Sequence, residues 1–386
     1  MKQRPFYRAD DVPLYRGDCR EVLPTITGAH SIVTDPPYGL GFMGCGWDHS
    51  VPGVEFWRLA LRACVPGAHM LCFGGTRTFH RLAAAIEDAG WEIRDTIMWV
   101  YGSGFPKSLN IGDGRGTALK PAWEPIIVAR APLDGTVANN ARLHRAGALN
   151  IDACRIAGRW HTRPGAGDNG FSGGWRAFTS RGAPGGRWPA NLIHDGSAES
   201  LAGFPQSDRS GGPRVIRIKN DHNNQRAFGD QAGGRTTFDH GDRGSAARFF
   251  YCAKAGRAER EAGCVRLRET RSAEISGGGG INHPNGGVYQ ARKPDALHNY
   301  HPTVKPLALM RYLVRLVTPV GGVVLDPFAG SGSTGVAAVQ EGRWFAGIEM
   351  DAGYCKIARA RLRHAMERTA ALREPVDVFV ARPARP

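Results

Sequence analysis

The chain has 386 residues, enough for two or three domains with a sizeable core, which excludes a peptide-sized scaffold. Its 42% apolar and 22% charged residues are close to globular averages and argue against wholesale disorder, so the 52 glycines and 25 prolines mark loops. A formal charge of +15 and a pI near 9.8 favour a polyanionic partner, nucleic acid before membrane.

In chain order, Leu14 to Arg16 and Ser31 to Thr34 are short apolar runs ending at Asp18 and Asp35, and Ala68 to Phe73 is a third, closed by Gly74-Gly75. Helical spacing follows from Thr76 to Ala89, stopped by Gly90, then strand-like sequence from Trp91 to Val100 and again from Pro121 to Ala129. Towards the C-terminus, Pro306 to Val317 reads as helix, Gly322 to Leu325 as strand, Ser333 to Gln340 as helix, Trp344 to Ile348 as strand and Ala352 to Ala370 as a basic helix. This alternation predicts an α/β fold with a doubly wound, mainly parallel sheet. Between the flanks, Gly102 to Tyr300 holds 33 glycines and a net +11, with 23 Arg to 5 Lys, a balance that suits bidentate recognition of phosphates and guanine edges. A solvated basic surface would read the same way. We therefore expect a first half over 1–131, an inserted region over 132–299, a second half over 300–370 and a tail over 371–386.

No stretch approaches 18 uninterrupted apolar residues, and MKQRPFYRADD has no apolar core behind its basic residues, so a soluble cytoplasmic protein that does not meet a membrane is expected. The eight cysteines form no Cys-x-x-Cys pair, which suggests buried thiols and no metal site.

Two motifs carry chemistry. In VVLDPFAGSGSTGVAA (Val323 to Ala338) an apolar strand ends at Asp326, Gly330, Gly332 and Gly335 follow at G-x-G-x-x-G spacing, and a helix of small residues begins. A helix N-terminus offers free N–H groups to a carboxylate or phosphate, and Glu349, nineteen residues after Gly330, can accept both hydroxyls of a ribose. Alone, this pattern suits NAD, S-adenosylmethionine or merely a tight strand-to-helix turn. In SIVTDPPYGLGF (Ser31 to Phe42), Pro36 and Pro37 remove two backbone donors after a buried-type strand, leaving carbonyls and the Asp35 carboxylate as acceptors. An exocyclic amine can place one N–H on Asp35 and one on the Pro36 carbonyl, with Tyr38 as a stacking face. A proline-stiffened turn with a capping Asp is the plainer reading of this motif taken by itself.

With DPPY first and DPFAGSGSTG second, the chain resembles the DNA amino-methyltransferases of the beta group, in which a target-recognition region separates the two halves. His301-Pro-Thr303-Val-Lys305-Pro306, Gly17-Asp18-Cys19 and the GIEMD run holding Glu349 add to the likeness, and YGSGFPKS (Tyr101 to Ser108), GALNID and RWPANLI resemble a phage and prophage branch. The resemblance implies a Rossmann-like methyltransferase fold in permuted order, S-adenosylmethionine as cofactor and double-stranded DNA as partner. It makes Asp35, Pro36, Pro37 and Tyr38 the catalytic motif, puts Asp326, Phe328, Gly330, Gly332 and Glu349 against the cofactor, Asp18 on its adenine, and Thr303 and Lys305 near its carboxylate. His301 is expected to pack and hydrogen-bond rather than to act as a base. Phe42 and Trp99 are candidates to flank a flipped base, with core packing as the alternative. Arg176, Arg181 and Arg187 in the insert are candidates to meet DNA. Asp at the first motif position favours adenine N6 over cytosine N4, while the absence of Pro-Cys argues against attack on a ring carbon. An N4-cytosine enzyme and, more distantly, a DNA-binding protein without catalysis remain as alternatives; a cognate restriction nuclease, a homodimer and a bacterial or phage origin complete the expectation.

Overall fold

The computed structural model describes residues 5–9, 12–41, 48–102, 104, 109–157, 186–207, 214–216, 235–237, 244–253, 257–269 and 297–372. Ten strands build the main sheet: β1 Tyr7–Ala9, β2 Val12–Arg16, β3 Ala29–Thr34, β4 Cys64–Phe73, β5 Glu92–Val100, β6 Trp123–Arg130, β7 Leu192–His194, β8 Tyr251–Cys252, β9 Val323–Asp326 and β10 Trp344–Glu349. Their spatial order is β1-β2-β10-β9-β3-β4-β6-β5-β7-β8. Only β1, on the edge, and β6, between β4 and β5, run against the others.

Alternation along the strands sends one residue to each face. Val33, Leu71, Phe73, Val324 and Phe345 pack under helices α4 Leu307–Val317, α5 Ser333–Gln340 and α6 Ala352–Leu372. Ile32, Met70, Cys72, Leu325 and Ala346 pack under α1 Val54–Arg62 and α2 Phe79–Asp88. The sheet is thus buried on both faces, which is why its central strands read as continuous apolar runs. Among the described residues no helix is long and apolar enough to cross a membrane.

The halves do not meet at the expected boundaries. β2 pairs with β10 rather than β3, so the N-terminal segment closes the outer side of the second half. Within the expected insert, β7 and β8 extend the sheet beyond β5, and α3 Val137–His144 packs on β4 through Asn140. That fully buried amide donates to the carbonyls of Pro66 (2.9 Å) and Ala146 (2.8 Å) and accepts from Asp134 N (2.8 Å). Residues 132–157, 186–207 and 244–269 therefore include parts of the α/β body.

From β3 the chain winds towards β4, and from β9 towards β10 in the opposite direction. Ligands of open α/β sheets lie at such a divergence, beyond the carboxyl ends of the strands. At this edge Thr34 Oγ1 donates to Asp326 Oδ1 (2.6 Å), tying β3 to β9, and Thr334 Oγ1 of α5 donates to the Val33 carbonyl (3.2 Å), tying that helix to β3.

Candidate active site

Asp35 follows the last residue of β3. Pro36 and Pro37 cannot continue a strand ladder, and the loop after them is held by side chains: Thr78 Oγ1 donates to the Tyr38 carbonyl (2.6 Å), and the buried Asp48 carboxylate accepts from Gly39 N (2.7 Å) and Leu40 N (3.1 Å). Gly75 lets the Tyr38 ring lie close, since a Cβ there would stand 3.2 Å from Tyr38 Cδ2.

So held, Tyr38 turns its hydroxyl to Asp35 Oδ1 at 2.8 Å and Glu124 Oε2 at 3.0 Å. Lys305 Nζ lies 2.8 Å from Asp35 Oδ2, 3.3 Å from Glu124 Oε2 and 3.2 Å from the Tyr38 hydroxyl, to which it donates. Its ammonium also faces the rings of Phe73 at 4.9 Å and Tyr38 at 5.5 Å. Burial pushes the Asp35 carboxyl above its usual range; Lys305 opposes that rise and Glu124 adds to it. Burial also works against the charge on Lys305, but Asp35 and Glu124 outweigh it, so the ammonium keeps its proton more tightly than an ordinary lysine. The Tyr38 phenol is raised by burial and by both carboxylates and remains a donor.

Lys305 thus belongs to the Asp35 cluster, and Tyr38 is anchored by its hydroxyl. Glu124 was missed. The only signal for it was an acidic residue opening the apolar strand PAWEPIIVA.

Across the divergence lies the glycine turn. Gly330 (φ +51°) and Gly332 (φ +76°) are left-handed, and a Cβ would meet His301 Nε2 at 2.7 Å in the first case and Ala358 Cβ at 3.1 Å in the second. Glycine is needed here to pack the turn on its own neighbours, whatever ligand comes above it. Glu349, ending β10, accepts from Gly330 N (2.8 Å) and Asp351 N (2.7 Å), yet burial pushes it up to about 7. Gly17 N donates to the Glu349 carbonyl, which brings Asp18 beside it. The Asp18 carboxylate caps the turn Cys19–Val22 and is held below its usual range by Arg20, so it is engaged within the chain. Phe328 stands 6.1 Å from Phe56 and 6.2 Å from Trp57, completing an aromatic wall.

Asp326 is buried beneath this rim, bonded to Thr34 and to Phe328 N (3.1 Å), and raised to about 6 by burial. Its bond to Thr34 joins β3 and β9. Thr303 N donates to His301 Nδ1 (3.4 Å), and His301, edge-on to Tyr354 at 4.4 Å, is pushed down to about 3 by burial and the nearby cations Arg361, Lys305 and Arg260. A neutral imidazole of such low basicity suits packing.

The candidates for base or DNA contact fare differently. Trp99 is in the core, 6.4 Å from Phe73 and 5.1 Å from Tyr101, so its ring packs the wall beside the Asp35 cluster. Arg187 Nη1 donates to the carbonyls of Ala157 (3.0 Å) and Arg248 (3.4 Å), and its backbone bridges to Ile156. It braces three chain segments. Phe42, Arg176 and Arg181 lie outside the described residues.

The donor set fits a nucleoside whose ribose reaches Glu349 and whose charged tail reaches the first turn of α5, where N–H groups lack intrahelical partners. Residues 214–360 match the model of a family described as DNA methylase. The chain is 50% identical over 62 residues to the type II methyltransferase M2.DpnII of Streptococcus pneumoniae, a match covering 16% of this chain and 23% of that protein. It is 47% identical over 62 residues to the DNA adenine methyltransferase YhdJ of Escherichia coli K12, covering 16% of this chain and 21% of that one. The matched segments thus span under a quarter of these two curated relatives. A DNA modification methylase structure from Thermus thermophilus aligns over 92% of this chain and 96% of its own, with 17% identity and a TM-score of 0.41. The chain is thus similar to the DNA methylases over residues 214–360.

Proposed function

We propose that this relative of the DNA methylases is a site-specific DNA methyltransferase that moves the methyl group of S-adenosylmethionine to adenine N6 in double-stranded DNA. The observation that carries the reading is the pairing, across one strand divergence, of the Asp35 acceptor cluster with the Gly330 and Glu349 rim. The cofactor would supply an electrophilic methyl group. Glu349 would accept the ribose hydroxyls, Phe328 would wall the nucleoside and the α5 N-terminus would receive the charged tail.

Asp35 and the Pro36 carbonyl accept the two N–H bonds of the target amine and draw its lone pair out of the ring, towards the methyl carbon. Each charge-assisted hydrogen bond contributes about 1.5 to 3 kcal/mol. Holding the reacting atoms at about 3 to 3.5 Å supplies several kcal/mol more, and this offsets the few kcal/mol that base flipping costs. The neutral His301 is not needed as a base. Adenine is preferred to cytosine N4 because of Asp35 and because one of the matched relatives is named a DNA adenine methyltransferase.

Part of residues 132–299 would read the DNA sequence, phosphate contacts setting affinity and base-edge contacts setting choice. Exchange of 158–185 and 208–243 for those of a relative with another target should move the methylated site. Modified-nucleoside mass spectrometry of duplex DNA tests the main reading: N6-methyladenine is expected, N4-methylcytosine alone would refute the adenine assignment, and label found only on RNA or protein would refute the DNA reading. A cognate restriction nuclease and a homodimer belong to the same reading and are tested by co-purification and by sedimentation.

A further inference from the structure

The acceptor that the target amine requires is already occupied. Both Asp35 oxygens carry a partner within the chain, Tyr38 on Oδ1 and Lys305 on Oδ2, each at 2.8 Å. Neither partner depends on Asp35 alone, because Glu124 Oε2 stands 3.0 Å from the Tyr38 hydroxyl and 3.3 Å from Lys305 Nζ. The Tyr38 hydroxyl has one proton and two carboxylates within reach, so it serves one at a time. The Lys305 ammonium has three donors, directed at Asp35, Glu124 and the Tyr38 oxygen, with the Phe73 ring 4.9 Å away. A second carboxylate shared by both groups that block the first is a recipient for them.

We propose that Glu124 is a positioning residue that takes Lys305 and Tyr38 over from Asp35 when a flipped base arrives, so that the charged cluster is a gate which the substrate amine opens. The idea rests on the amino-methyltransferase reading. In the closed state Lys305 holds the place of the amine. On opening, the Lys305 to Asp35 hydrogen bond breaks while the one from Lys305 to Glu124 persists, the Tyr38 hydroxyl turns its single proton from Asp35 to Glu124, and the amine donates to Asp35. No charge is left unpaired, since the ammonium keeps one carboxylate throughout. Without Glu124, displacing Lys305 from Asp35 would strand a buried cation, and the base would have to work against that penalty.

The test compares wild type, Glu124→Gln, Lys305→Met and the double variant at one pH. Methylation kinetics are read together with the fluorescence of 2-aminopurine placed beside the target adenine, which loses a stacking partner when that adenine flips, in the presence of S-adenosylhomocysteine. Glu124→Gln should raise KM for DNA about tenfold or more and weaken the flipped-base signal, as expected for loss of one charge-assisted partner, with S-adenosylhomocysteine affinity unchanged. Adding Lys305→Met should restore most of that signal, because the group that competes with the amine is gone. A purely structural ion pair predicts no such recovery of flipping. If Glu124→Gln fails to fold, Lys305→Met is compared with the double variant, and the two should flip the base alike. Glu124→Gln with wild-type KM, or a double variant no better than Glu124→Gln, would overturn the gate while leaving the methyltransferase reading intact. A wild type that methylates no DNA would overturn both.

Discussion

Glu349 offers a quantitative handle on the cofactor rim. Its carboxyl is pushed up to about 7 by burial, with Asp351 and Asp326 adding to the rise, while the N–H groups of Asp351 and Gly330 pull it down. A ribose hydroxyl donates to the ionised form, so binding favours loss of the proton. Affinity for S-adenosylhomocysteine should therefore improve as pH rises and level off above about 7, falling up to tenfold per pH unit below it, since each unit is about 1.4 kcal/mol. The slope ends once the protonated form has lost the charge assistance of one or two hydrogen bonds, about 1.5 to 3 kcal/mol each.

Folding has the opposite sign. A carboxyl whose folded value, about 7, exceeds the ordinary 4.5 holds its proton more tightly in the folded chain, so the stability it contributes at low pH is lost as pH rises through about 7. For a group this buried the loss is about 2 to 3 kcal/mol. Glu349→Gln should accordingly weaken S-adenosylhomocysteine binding about 10- to 100-fold at pH near 8, flatten the pH profile, and make the free chain more stable at that pH. Calorimetry across pH, in buffers of different ionisation enthalpy, reads affinity and proton release together. A wild-type affinity that does not change with pH, or a Glu349→Gln variant that keeps the slope, would refute the assignment of both the burial and the ribose contact.

Asp35→Ala should retain S-adenosylhomocysteine affinity by calorimetry and lose all but a tenth or less of its methylation at saturating substrate, about 1.4 kcal/mol at the least. Gly330→Ala should destabilise the chain by about 1 to 3 kcal/mol in chemical denaturation, because its φ of +51° is strained for alanine and the new methyl meets His301. Asn140→Ala should lower the main unfolding transition of the whole α/β body, by about 1 to 3 kcal/mol for each partner left unsatisfied; a separate, earlier transition would instead restore 132–299 as an independent insert.

Local patterning made much of this molecule legible. The strands at Ala29–Thr34, Cys64–Phe73 and Val323–Asp326 are buried on both faces, and such strands must be apolar without interruption. Helix Ser333–Gln340 is read to the residue because small side chains are imposed by the close packing of Gly335 against Phe345 and Leu362. The strands Leu192–His194 and Tyr251–Cys252 could not be read, since two or three residues hold no period and exist as strands only because β5 offers an edge to the first and the first offers one to the second. Helix Val54–Arg62 also escaped: it starts from Gly53, which has no capping side chain.

The charge network marks where reading a sequence stops. Asp35 carries a motif around it, but Glu124 and Lys305 acquire their roles from each other, through the placement of β6 between β4 and β5 and the return of the chain into α4. β6 runs antiparallel to its neighbours, so its first residues, rather than its last, stand at the edge that carries Asp35, and that reversal is what brings Glu124 to Asp35. A parallel strand at the same place would have left Glu124 at the far end of the sheet. The second carboxylate of the site is thus a property of one strand's direction, which period and composition do not encode, and the function proposed for it stands or falls with that topology.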